Sequence, residues 1–177
     1  METLTLSQVW RYFRWLPKFI MKKIFTQERL AGMTYVDIRP RHNSIQVNLC
    51  KSPSFYIYFQ VINMSPFEIE LDRSEIEFTC SGFRLKANHI RKTKFKSGEV
   101  GSFYVEGEIS ESNANDIANY SEHSSAITIH CDFNCDLHNF SKPHHFLDGV
   151  NVQFSNQSFR KQLAGIAEDK KNQQKVI

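Results

Sequence analysis

Residues 55–71 constrain the fold more than any other stretch of the chain. They read Phe-Tyr-Ile-Tyr-Phe-Gln-Val-Ile-Asn-Met-Ser-Pro-Phe-Glu-Ile-Glu-Leu. Two apolar runs of strand length flank Asn63-Met64-Ser65-Pro66, residue types that break a ladder and favour a turn. The first run, Phe55 to Ile62, is aromatic and β-branched, which suits a pleated, half-buried surface. The second alternates: Phe67, Ile69 and Leu71 share one face, Glu68 and Glu70 the other. A strand with one side on a core and one in water has this pattern.

The same punctuation recurs along the chain. Strands are predicted over Thr34 to Ile38, Ser44 to Cys50, Glu75 to Cys80, Phe83 to Ala87, Phe103 to Ile109, Ala126 to Phe140 and Gly149 to Phe154. Short strands at such intervals point to a sandwich rather than an α/β sheet. Residues 110–125 are polar, with room for a short helix around 114–120. Residues 27–33 read as a linker. The tail, 155–177, places Phe159, Leu163 and Ile166 at helical spacing, and its polar end is expected to fray.

Residues 6–25 read as an amphipathic helix. Leu6, Val9, Phe13, Leu16, Ile20 and Ile24 gather on one side, with Trp10 at its edge, and Arg11, Arg14, Lys18 and Lys22 lie opposite. Trp15 and Phe25 fall beside the cations. Rings next to Lys and Arg suit the headgroup level of a membrane. Pro17 removes one backbone hydrogen bond and should kink the helix near 13–17. The plainer reading is that the helix packs its apolar side on the domain; a third is that it docks on a partner protein. Charge sharpens the first reading. Residues 1–25 set five cations against Glu2, and residues 156–177 set five cations against Glu168 and Asp169. The chain as a whole is only +3, so the body between is acidic and the ends are the parts suited to an anionic partner.

The order strand, Asn63-Met64-Ser65-Pro66-Phe67, alternating strand, then Phe78-Thr79-Cys80-Ser81-Gly82-Phe83 resembles the repeat unit of LEA-2 and water-stress-and-hypersensitive-response (WHy) domains. Lys96-Ser97-Gly98-Glu99-Val100 takes the place of the Gly-containing loop that opens a later strand in that pattern. The resemblance covers about residues 44–110. The chain departs from it where Met64-Ser65 separates Asn63 from Pro66, and in the length of 110–125. It implies an immunoglobulin-like antiparallel sandwich without catalytic residues. Many such domains are membrane-attached through an N-terminal segment, which would suit residues 6–25.

The expected architecture is therefore mainly β: a single antiparallel immunoglobulin-like β-sandwich, residues 34–154, behind an N-terminal amphipathic helix in 1–26 and before a short C-terminal helix. The expected role is non-enzymatic: a peripheral membrane or scaffold module at the cytoplasmic face. The membrane-binding residues would be Trp10, Arg11, Phe13, Arg14, Trp15, Leu16, Lys18, Ile20 and Lys22, and the partner an anionic membrane surface or a protein. No signal-peptide pattern or spanning segment is read in the sequence, so Cys50, Cys80, Cys131 and Cys135 are expected as reduced thiols.

Chemistry-bearing motifs are few. No Gly-rich phosphate loop, Gly-x-Ser-x-Gly elbow or His-Glu-x-x-His helix occurs, and no nucleic-acid motif. No cofactor and no small-molecule substrate is expected. The sharpest alternative is a metal site on the His130, Asp132 and His138 face of strand 127–140. Cys131 and Cys135 would point the other way, about 13 Å apart at roughly 3.3 Å per residue, too far to share one ion. Lys86 to Lys96 reads as a basic loop that would extend a lipid-facing surface if it lay beside the N-terminal helix.

Overall fold

Alternation builds the first sheet. The computed structural model describes residues 16–40, 43–119, 125–146 and 151–174, with side chains as far as residue 166. Strand β3, Ser54–Asn63, buries Phe55, Ile57, Phe59 and Val61 completely and turns Tyr56, Tyr58, Gln60 and Ile62 to the other face. β1, Thr34–Ile38, and β2, Ile45–Asn48, divide one edge of β3 between them, and β7, Val100–Glu108, takes the other. All three pair antiparallel with β3, and β10, Gln153–Ser155, lies parallel outside β2.

The second sheet is built in the same way around β4, Ile69–Cys80. β5, Phe83–His89, and β6, Thr93–Phe95, divide one edge; β8, Ser125–Cys135, runs along the other, with β9, Phe140–Phe146, beyond it. The β4–β5 hairpin turns on Ser81 at φ 51° and Gly82 at φ 83°. Two positive-φ residues are what a tight hairpin requires, because that twist matches the strands. The apolar faces of the two sheets share one core, as in a β-sandwich: the rings of Phe55 on β3 and Phe78 on β4 lie 5.4 Å apart. Gly107 marks a close approach. A Cβ there would sit 2.3 Å from the Phe55 ring and 2.9 Å from the Ala87 Cβ.

The chain crosses between sheets from β3 to β4 and returns from β6 to β7, and Asn63 ties the two crossings together. Its Nδ2 donates to the carbonyls of Phe67 (2.7 Å), Phe95 (3.0 Å) and Lys96 (3.1 Å). Its Oδ1 accepts from the Ser65 backbone N–H (3.0 Å) and hydroxyl (2.7 Å). The predicted turn is therefore a buried junction, with Asn63 and Ser65 both shielded completely.

Several sequence expectations change. The strands expected at 67–71 and 75–80 are one strand, because the break between them is a bulge at Leu71/Arg73 that adds Asp72 without ending the ladder. The long strand expected at 126–140 is two, β8 and β9, joined by a turn over 136–139. The presumed linker at 27–33 is a helix, α2, Gln27–Met33, capped by Thr26, whose side chain accepts from Arg29 N. Leu30 is its one fully buried residue, and a single apolar anchor gives little periodic signal. Ahead of it lies α1, Lys18–Ile24, which starts directly after Pro17; Pro17 opens this helix instead of kinking it, a position where its missing N–H costs nothing. The expected helix over 6–15 lies outside the described residues.

Two further helices decorate the sheets. α3, Glu111–Asn119, buries Ala114, Ile117 and Ala118. α4 runs Gln157–Gln174, through the segment expected to fray. Its inner stripe is Gln157, Arg160, Leu163 and Ala164, whereas Phe159 and Ile166, expected to dock, are exposed.

Candidate functional site

The described part of the expected membrane-binding segment is α1 and its approach. Trp10, Arg11, Phe13, Arg14 and Trp15 lie outside the described residues. Spaced at about 100° per residue, α1 divides cleanly. Met21, with Phe25 just past the helix end, is buried, and Leu16 and Ile24 pack against the core. Phe25 meets Phe67 edge-on at 5.2 Å. Ile20 is half-buried. The outward arc carries Lys18, Phe19, Lys22 and Lys23, all exposed, with Phe19 at 67%. The apolar side is thus turned to the domain, the arrangement of the plainer reading. Of the four expected residues described here, Lys18 and Lys22 reach water while Leu16 and Ile20 lean inward. Phe19 is the exposed ring that sequence reasoning missed. Its signal was present: it falls between Lys22 and Lys23 on the wheel, away from the apolar side.

Two side-chain hydrogen bonds hold this helical pair in place. Arg29 Nη1 donates to the Ile24 carbonyl (2.8 Å) and Lys142 Nζ to the Ala31 carbonyl (2.9 Å), occupying acceptors that the helix ends leave free. His138 Nε2 lies 3.2 Å from the Lys22 carbonyl. His138 is thereby engaged with α1 rather than with His130 and Asp132, and among the described residues no group of three His, Cys, Asp or Glu side chains could hold a metal.

Asp132 instead belongs to a polar cluster on the second sheet. It accepts from Arg73 Nε (2.7 Å) and the Ser141 hydroxyl (2.6 Å), with His130 Nε2 at 3.3 Å. Burial alone would raise its pKa. The Ser141 and Arg73 hydrogen bonds, with the charges of His130 and Arg73, outweigh that and hold it below the ordinary value. Beside the cluster a cleft of about 640 Å³ opens between Gln27, Glu28 and Ala31 of α2 and Asp72, Arg73, Asn134, Asn139 and Phe140 of the sheet. Its charged groups are largely spent on one another: Lys92 pairs with Asp72 (3.1 Å) as well as Glu70 (3.3 Å). In the basic stretch at 86–96, Lys94 pairs with Glu68 (3.1 Å) and Lys86 with Glu77 (3.8 Å), while Arg91 and Lys96 are exposed. Cys131 is fully buried, and burial pushes its thiol up to about 12, away from nucleophile or ligand chemistry.

No family model matches the chain, and no curated protein matches it in sequence. Solved structures resemble it at a distance. A structural-genomics target designated SoR45 aligns at TM-score 0.46 and 9% identity over 71% of this chain and 95% of its own. The solution structure of an Arabidopsis thaliana protein aligns at TM-score 0.42 and 13% identity, over 69% and 81%. A protein from Archaeoglobus fulgidus aligns at TM-score 0.37 and 12% identity, over 67% and 97%. At such TM-scores these likenesses carry no argument about activity.

Proposed function

We propose that this chain is a non-enzymatic, immunoglobulin-like sandwich of the LEA-2/WHy type that attaches to an anionic membrane surface at the cytoplasmic face. The attachment is through its basic N-terminal segment. The observation that carries the reading is Phe19, 67% exposed within an arc of three exposed lysines on a helix whose opposite side is anchored in the core. Aromatic insertion beside cations, on a rigid support, fits lipid phosphates and the headgroup boundary. No helix among the described residues is long and apolar enough to cross a membrane, so the attachment proposed is peripheral.

Flotation of the full chain with neutral and anionic liposomes tests this. Each lysine near an anionic surface contributes about 1 kcal/mol, so Lys18→Glu/Lys22→Glu/Lys23→Glu should lower binding on the order of a hundredfold or more. Phe19→Ala should weaken it less. Wild-type protein that stays with neither liposome would overturn the lipid reading and turn the search to a protein partner for the same face.

A further inference from the structure

Arg160 is the anomaly of the molecule. It sits at the middle of the inner stripe of α4, where an apolar residue would ordinarily seal the helix, and it is only 2% exposed. Its neighbour one turn earlier on that stripe, Gln157, donates to the Ala118 carbonyl of α3 at 3.1 Å, which places the stripe against α3. The buried residues of α3, Ala114, Ile117 and Ala118, are all apolar and offer no side-chain acceptor. Within this seam the Nε and Nη2 atoms of Arg160 are buried and have no hydrogen-bond partner among the described residues.

The identity of those two atoms is informative. Nε–H and the N–H of Nη2 point the same way and form the side-on edge of the guanidinium, the two-donor fork that matches two oxygens of a carboxylate or phosphate. Arginine does not escape burial by losing its proton, so a buried guanidinium with unmatched donors carries a penalty that an anion relieves best, because it matches the charge as well as the hydrogen bonds. From this we propose that the α3–α4 seam is a binding site for a small oxyanion, carboxylate or phosphate, gripped side-on by Arg160. Leu163 and Ala164, next along the stripe, are only partly buried, which places Arg160 close to the solvent-facing end of the stripe. Arg160 lies on a different helix from the basic face of α1, and its ligand is a small anion rather than a surface.

The test is thermal unfolding and calorimetric titration of the full chain with inorganic phosphate and, separately, acetate, each against chloride at matched ionic strength. A saturable rise in Tm in wild type with either anion, absent in Arg160→Met, supports the site, and the anion that produces it names the ligand class. Phosphate also stabilises proteins by exclusion from their surface, which is why the variant is the reference. Arg160→Lys keeps the charge but loses the fork; its affinity should fall on the order of tenfold, and it serves as the reference if Arg160→Met does not fold. No saturable rise with either anion, or the same rise in the reference variant, would overturn the proposal.

Discussion

Asn63 and Arg160 are both polar side chains buried almost completely, and they are opposites. Asn63 uses both amide hydrogens and its oxygen, on five partner groups from two segments of chain, 65–67 and 95–96. Arg160 leaves its side-on edge unmatched. A buried polar group stabilises a fold when its bonds are complete and costs free energy when they are not. The Asn63 junction is thus explained by folding alone: it fastens the two crossings between sheets. The Arg160 seam is not, and the excess is what points to a ligand.

The largest effect that would break this contrast is at Asn63. Asn63→Ala strands the Ser65 N–H in a buried place and takes a donor from the carbonyls of Phe67, Phe95 and Lys96, of which Phe67 keeps the Ser65 hydroxyl and Lys96 the Glu99 N–H; it should cost about 3 kcal/mol, at roughly 1–3 kcal/mol for a buried group left unsatisfied. Urea unfolding measures it; a loss below about 1 kcal/mol would mean water replaces the amide. Gly107→Ala supplies an apolar control at the opposite end of β3. Its methyl collides with the Phe55 ring, so overpacking should cost about 1–3 kcal/mol, and Phe55→Leu in the same chain should recover part of it. Arg160→Met in chloride buffer should then fall at the other extreme, neutral or stabilising, since removing an unpaired buried charge relieves a penalty. A loss as large as that of Asn63→Ala would place a partner on the guanidinium and erase the contrast.

The smallest effect is expected at Asp132, a paired group near the surface. Its folded-state pKa is lowered, so its contribution is complete above the ordinary value of 3.8 and disappears as pH falls through the lower folded value. Asp132→Asn should therefore cost little at neutral pH, under about 1 kcal/mol as for exposed pairs, and should flatten the acid limb of the stability curve below about pH 4. An unchanged acid limb would show that the cluster does not report on folding.

The sequence by itself determined the features that period and turn chemistry control. The two-residue alternation at 55–62 and 127–133 placed the core faces, and Ser81-Gly82 marked its hairpin because few residues accept positive φ. It also carried the polarity of α1, since Lys18 and Lys22 lie across the helical wheel from Leu16, Ile20 and Ile24. Other features depend on partners distant in the chain and emerge only when it packs. The bulge at Asp72 reads as a strand end until β8 pairs across it. α2 reads as a linker because Leu30 is its one fully buried residue, too little to show a helical period. Asn63 looks like turn punctuation until Phe95 and Lys96, more than thirty positions away, offer their carbonyls. Arg160 reads as one cation of a basic tail; its burial exists only because α4 packs on the rest of the domain. Local pattern specifies which face a residue presents, but whether a buried polar group finds its partner is a property of the packed whole.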